Sequence, residues 1–149
     1  MSTLANPEAR AECQDRIRRL TPDAQARWGR MNVHGMLCHL NDSFRLSLGE
    51  RQASFATGFL QRTLVKWVAL RAPFHWPQGV PTRPEIEQGH GGTPPGDWER
   101  DRAELIAILD RFASEVAPRE HPIFGRLTTE EWLIWGYRHV DHHLRQFGA

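Results

Sequence analysis

The chain has 149 residues, of which 40% are hydrophobic and 25% are charged. These values are ordinary for a globular protein, and we interpret residues 1–149 as one domain. Lys plus Arg number 19 and Asp plus Glu number 18, which leaves a formal net charge of +1. This balance argues against a protein that binds nucleic acid or a membrane surface, and no apolar run is long enough to predict a membrane span.

Two features favour a cytoplasmic location. The N-terminal segment lacks a basic stretch followed by an apolar one, so it does not look like a secretory signal. Cys13 and Cys38 are too few for a disulfide scaffold. We expect both to be small buried groups in a reducing compartment.

The first 30 residues predict one helix and a short connection. Asn6 and Pro7 are typical of a helix start, and apolar residues then follow at helical spacing as far as Leu20. Thr21-Pro22-Asp23 repeats the start signal and predicts a short extra helix or turn that ends near Gly29.

The next two helices are predicted from their apolar patterns. Asn32 can cap a helix from Val33 to Leu48, which carries an apolar stripe along one side. Ser54 can begin a third helix that runs to Arg71. Because apolar residues occupy most of its length, we expect this third helix to be well buried.

The second half predicts a long loop and two more helices. Pro and Gly are frequent from Ala72 to Gly96, which is typical of an irregular loop. A fourth helix is predicted from Trp98 to Ala117 and a last one from Thr129 to Phe147, the latter beginning at a Thr128 capping box. No segment shows an alternating strand pattern, so the prediction is an all-α protein. We expect a four-helix bundle with a short extra helix and a long Pro/Gly-rich loop.

The histidines of the last helix point to a metal site. On a helical wheel, His139 and His143 lie in the middle of the buried stripe, one turn apart, and His142 lies at its edge. Two neutral imidazoles on an apolar face each need a polar partner, and one metal ion would satisfy both. The alternative is a pair of core histidines that are hydrogen-bonded without metal.

A metal site of this kind needs at least a third ligand. His39 is the best candidate, because it lies beside the apolar stripe of the second helix. Three nitrogen ligands with an open position are typical of a catalytic or substrate-binding metal rather than a structural one. The other candidates are His34, Cys38, Asp42, His75, His90 and His121.

Two segments resemble the DinB/YfiT-like superfamily of metal-binding four-helix bundles, and more closely a branch of it that has no assigned function. The first segment is Trp28–Ser43, which contains His39-Leu40-Asn41-Asp42. The second begins at His121 and continues to Gly148, ending in the pattern His-x-x-His-His-x-x-Gln. The resemblance extends from about Ile17 to Gly148 and is weakest in the Pro/Gly-rich loop.

The resemblance implies a divalent metal ion, zinc or nickel before iron, held by His39, His139 and His143. It also implies a homodimer, and relatives that transfer or isomerise small molecules with a low-molecular-weight thiol such as bacillithiol or mycothiol. Asp42 and His142 are expected beside the ligands. His121 lies on the stretch that leads into the last helix and could form a wall of the pocket.

Two functions therefore compete. The first is a metal-dependent enzyme, related to thiol transferases or acting as a metal-assisted hydrolase or isomerase on a small molecule. The alternative is a helical-bundle binding module for an apolar ligand or a protein partner, either without metal or with a purely structural one.

Overall fold

The computed structural model describes residues 1–149 and is predominantly helical, with five helices and one two-stranded sheet. A π-helical turn, Gln61–Val65, leads into the short third helix, and a 3-10 turn spans Pro84–Ile86. None of the helices combines the length and the apolar character that a membrane span requires. The helices are α1 (Pro7–Arg19), α2 (Val33–Ser47), α3 (Lys66–Arg71), α4 (Trp98–Glu115) and α5 (Thr129–Gln146).

The four long helices begin where the sequence predicts them, and each start is capped by a side chain. Asn6, Asn32 and Asp97 each accept a hydrogen bond from a backbone N–H in the first turn of the helix that follows. Thr128 and Glu131 form the predicted capping box, with both reciprocal bonds present. These bonds satisfy N–H groups that have no partner within the helix, and so they determine where each helix begins.

One hydrophobic core joins the long helices. Helix α2 packs against α4 and α5, and α1 packs against the same two helices from another side. The largest fully buried side chains are Trp132, Phe44 and Phe112. The Phe44 ring lies 4.8 Å from the Phe112 ring in an edge-on arrangement. The side of α5 that faces this core is the same stripe that the helical wheel identifies.

The prediction of a buried third helix from Ser54 to Arg71 is wrong. Residues 52–58 have no regular secondary structure, and helical structure begins only at Phe59. Of the apolar side chains in this stretch, Ala69 and Leu70 are buried. Phe59 and Trp67, by contrast, are 81% and 57% exposed. A segment that is apolar on all sides has no preferred face, so its composition could not show which side chains meet the core.

Two short elements complete the comparison with the predicted fold. Thr21-Pro22-Asp23 forms the turn that was predicted as the alternative to a short extra helix. Residues 119–127 form a small antiparallel hairpin, with β1 (Arg119–His121) paired to β2 (Gly125–Leu127). Strands of three residues are too short to show an alternating pattern. The turn places Gly125 at φ 71°, in the left-handed region that glycine tolerates.

Gly136 allows α5 to approach its neighbours closely. A Cβ atom at this position would lie 2.7 Å from Phe112 Cε1 and 2.9 Å from Leu4 Cδ1. We expect Gly136→Ala to lower the free energy of unfolding by about 1–3 kcal/mol, because the added methyl group overpacks the core. Urea unfolding measures this loss. Glu130→Ala, on an exposed site of the same helix, should change it by less than about 0.5 kcal/mol. An unchanged stability in Gly136→Ala would show that this contact is not tight.

Candidate metal centre

Three of the predicted residues meet in the core. His39 lies in the middle of α2, and His139 and His143 lie one turn apart on α5. The ring centroid of His39 lies 5.2 Å from that of His139 and 4.9 Å from that of His143. One potential ligand atom from each of the three lies within 4.8 Å of the others. His39 and His139 are buried, and His143 is partly buried.

Hydrogen bonds orient two of these imidazoles. His39 Nδ1 lies 3.1 Å from the backbone oxygen of Ile86, and His143 Nδ1 lies 2.8 Å from Oε1 of Gln146. Both partners are acceptors, so each Nδ1 carries the proton and donates it. Gln146 is itself oriented, because its Nε2 donates to the backbone oxygen of Trp28. The free lone pairs of His39 and His143 are therefore on Nε2.

The third imidazole has no oxygen partner, and its one hydrogen-bond contact joins its Nε2 to Nε2 of His39 over 3.3 Å. Nδ1 of His139 is buried and has no hydrogen-bond partner. Its ring lies 4.8 Å from the Trp135 ring and 5.7 Å from the Trp76 ring. Trp76 is fixed in turn, since its Nε1 donates to the backbone oxygen of Ala69 over 2.7 Å.

The nitrogen spacing fits a tetrahedral metal ion. Nε2 of His39 and Nε2 of His139 are 3.3 Å apart. Two nitrogens bound to one tetrahedral zinc ion, at about 2.0–2.1 Å each, are separated by about 3.3–3.4 Å. Three convergent imidazoles are also a donor set that zinc, nickel and iron accept. The residues present therefore fit a divalent metal ion.

Burial keeps these imidazoles neutral. It lowers the pKa of His39, and it lowers the pKa values of His139 and His143 well below the ordinary value. The mutual repulsion of protonated rings lowers the pKa of His139 further, chiefly through His143. Because a metal binds only the unprotonated nitrogen, the folded chain presents its ligands ready for coordination at neutral pH.

Asp42 does not orient a ligand imidazole directly. It is completely buried, but its oxygens accept hydrogen bonds from Thr93 and from Arg51. Arg51 also donates to the backbone oxygens of Glu85 and Gly91. Asp42 and Arg51 thus hold the loop next to the carbonyl of Ile86, which is the group that orients His39. Asp42 therefore positions the ligand only indirectly, although its charge acts directly to raise the pKa of His39.

A cavity of about 250 Å³ opens beside the three histidines, all of which line it. The loop that follows α3 contributes much of its wall, so the predicted Pro/Gly-rich loop covers the pocket. The wall is largely apolar and includes Trp76, Val80, Ile86, Ile123 and Phe124. His142 also lines the cavity, half-buried between Trp28 and Trp76, and does not join the three-histidine cluster.

His121 lines the same cavity from the hairpin, apart from the cluster. Its Nδ1 accepts hydrogen bonds from the backbone N–H groups of Ile123 and Phe124, at 3.0 and 3.3 Å. The ring stacks on Phe124 with centroids 4.4 Å apart. Burial lowers the pKa of His121 to about 3, so the imidazole is neutral.

A second group of potential ligands lies between α2 and the start of α4. His34 Nε2 is 2.8 Å from Asp101 Oδ2, and the Cys38 thiol donates to the same oxygen over 3.7 Å. Burial and the Asp101 charge raise the pKa of Cys38 to about 12, so it remains a thiol. Each polar group here already has a partner. His75 and His90 are exposed and join neither group.

Two groups that orient the ligands were not predicted from the sequence. Gln146 was noted only as part of a motif, although its spacing of three residues from His143 places both on one helix face. The Ile86 carbonyl had no signal, because its position depends on how the loop folds back on α2. Asp42 was expected beside the ligands, but its pairing with Arg51 was not predicted.

Burial of His121 predicts an acid-sensitive fold. Its pKa is about 3 in the folded chain and about 6.5 when unfolded, so between these values only the unfolded state binds the proton. Stability therefore falls as pH drops through this window. In metal-free protein, we expect His121→Asn to lose about 2 kcal/mol less than the wild type between pH 7 and pH 5. Urea unfolding at both pH values measures this difference, and equal losses would contradict a buried neutral His121.

A family model described as "Protein of unknown function (DUF1569)" matches residues 3–149. No curated protein and no solved structure matches the chain. Since the family model covers nearly the whole chain, this protein belongs to the DUF1569 family.

Proposed function

We propose that this chain binds one divalent metal ion through His39, His139 and His143, and that it is a metal-dependent enzyme acting on a small molecule. The observation that carries the proposal is the 3.3 Å separation of two Nε2 atoms at the edge of a cavity. Carbonyl and amide oxygens bind Nδ1 of His39 and Nδ1 of His143, which leaves the lone pair of each ring on Nε2. Zinc or nickel is the preferred ion, and iron is the next.

The arrangement supports a catalytic rather than a structural metal. The protein offers three ligands, and the space next to them is a cavity and not a fourth side chain. When bound, the ion would lower the pKa of a thiol or water molecule at the open position. We therefore infer a thiol transferase-like reaction, or a hydrolysis or isomerisation of a small electrophile. The apolar wall would contact the body of the substrate.

The four long helices support the DinB/YfiT-like assignment. We propose that α1, α2, α4 and α5 form a four-helix bundle of that type, with α3 and the hairpin as additions. Ligands from α2 and from two turns of α5 match the pattern that the resemblance implies. Both cysteines are buried and unpaired, which supports a reducing, cytoplasmic compartment.

Metal analysis of the purified protein tests the proposal. We expect about one zinc, nickel or iron ion per chain in the wild type. His39→Ala and His139→Ala should each reduce the content at least tenfold, because two histidines alone hold a metal weakly. His34→Ala is the matched control, since it removes a histidine from α2 that lies outside the cluster, and it should leave the metal content unchanged.

A wild-type protein that stays metal-free after incubation with equimolar zinc or nickel would contradict the proposal. The same protein would then favour the binding module, for which the largely apolar cavity is the supporting observation. Loss of metal in His34→Ala alone would indicate that the metal binds instead to the group formed by His34, Cys38 and Asp101.

We also propose a homodimer that covers the exposed apolar side chains preceding and within α3. Phe59, Leu64 and Trp67 are each more than half exposed there, and a net charge of +1 opposes association of two copies only weakly.

Light scattering should give twice the mass of one chain for the wild type. Phe59→Ser combined with Trp67→Ser should give a monomer, whereas Arg19→Ser, on the exposed side of α1, should remain dimeric. A wild-type monomer at high micromolar concentration would contradict this assembly.

A further inference from the structure

His121 is a buried polar side chain with one nitrogen committed to the protein and one not. It is 6% exposed, and its only hydrogen bonds are those that Nδ1 accepts from Ile123 and Phe124. A backbone N–H can only donate, so Nδ1 must carry the lone pair. In a neutral imidazole, the proton is then on Nε2. The hairpin turn thus determines the tautomer of His121.

The Nε2–H group of His121 has no partner within the protein. His121 lines the cavity, and no protein acceptor takes a hydrogen bond from Nε2. The ring cannot turn away without breaking two backbone hydrogen bonds and its stacking on Phe124. The Nε2–H group is therefore held in a fixed position, and an acceptor that enters the cavity can take its hydrogen bond in place of solvent.

The donor is separate from the three-histidine cluster. The Trp135 ring lies between them, with its centroid 5.5 Å from the His121 ring and 4.8 Å from the His139 ring. A molecule in the cavity can therefore contact His121 with one group while another group reaches the cluster. The largely apolar wall makes it costly to desolvate a carboxylate or a phosphate, so the cavity favours an uncharged acceptor for this donor.

We propose that His121 Nε2–H is a fixed hydrogen-bond donor for substrate, and that the cavity selects small apolar molecules carrying a neutral acceptor such as a ketone, an aldehyde or an ester carbonyl. The inference deepens the proposed function, since it names the substrate class of the same site. His121 is a binding residue here, and it holds the carbonyl while the chemistry takes place at the other end of the cavity.

Two isosteric probes test the donor. Acetophenone presents a carbonyl oxygen where α-methylstyrene presents a CH2 group, and the two are otherwise alike in shape. Affinities are measured by NMR titration of the wild type and of His121→Asn, with and without equimolar zinc. Asn is the chosen replacement because its side-chain oxygen can accept the same two backbone bonds as an Asx turn, but it lacks the distal N–H. Ile123→Ala is the control for a change in the cavity wall.

We expect the preference for acetophenone over α-methylstyrene to be about fivefold greater in the wild type than in His121→Asn, the effect of one neutral hydrogen bond. Ile123→Ala should weaken both probes and leave that preference as in the wild type. The Nε2–H resonance of His121 should move with acetophenone and not with α-methylstyrene. This last measurement needs only the wild type, so it stands if His121→Asn does not fold.

An equal preference in the two proteins, or failure of both probes to bind, would overturn the inference. The titrations with zinc distinguish a failure of this inference from a failure of the proposed function. A protein that binds no zinc but shows the fivefold coupling has lost the metal proposal and keeps the carbonyl-binding cavity. One that binds zinc and shows no coupling keeps the metal centre and loses His121 as a donor.

Discussion

The site depends on the burial of three imidazoles side by side in an apolar core. Each ring that enters such a core loses its hydration, and protonated rings at this spacing also repel one another. The protein meets this cost by keeping the rings neutral and by giving His39 and His143 an oxygen acceptor each. The same acceptors turn both Nε2 lone pairs towards a common point. The hydrogen bonds that offset the loss of hydration therefore also orient the nitrogens as binding of a metal ion would require.

The orienting groups come from parts of the fold that are distant in sequence. Gln146 lies on α5 itself and is fixed by Trp28, which precedes α2. Ile86 lies in the loop that Asp42 and Arg51 hold against α2. The loop thus has two roles, since it covers the cavity and supplies a hydrogen bond to a ligand. Its irregular backbone is fixed by a completely buried carboxylate and not by regular secondary structure.

The sequence predicted those features that one helix face or one cap determines. His139 and His143 were found because a period of 3.6 residues places both on the buried stripe, and the starts of the long helices were found because their caps are local. The residue pattern alone gave His39 a preference over His34 as the third ligand but did not decide between them. The choice became specific through the family resemblance, and the structure brings His39 to the pair and leaves His34 with Asp101.

Features that depend on contacts between distant segments could not be predicted. Periodicity could not show that the apolar stretch before α3 stays exposed, since every face of it looks suitable for burial. Nor could it show that His121 is held by its own hairpin turn, because two strands of three residues carry no recognisable pattern. Asp42 shows the intermediate case. Its position one turn from His39 predicted a place beside the ligands, but its partners are Arg51 and Thr93, so it supports the loop and not a ligand imidazole.

The two polar groups on α2 differ in charge, and this difference separates their chemistry. Around Asp101, a carboxylate accepts hydrogen bonds from His34, from Cys38 and from the backbone of Gly96, and Arg100 compensates its charge. The three-histidine cluster has no carboxylate of its own, because the nearby Asp42 is committed to Arg51 and Thr93. Under the proposed function, three neutral ligands would leave the charge of a bound divalent ion uncompensated in an apolar surrounding. An anionic fourth ligand, such as a thiolate, would gain most from that charge, and a neutral carbonyl would be left to the neutral donor of His121.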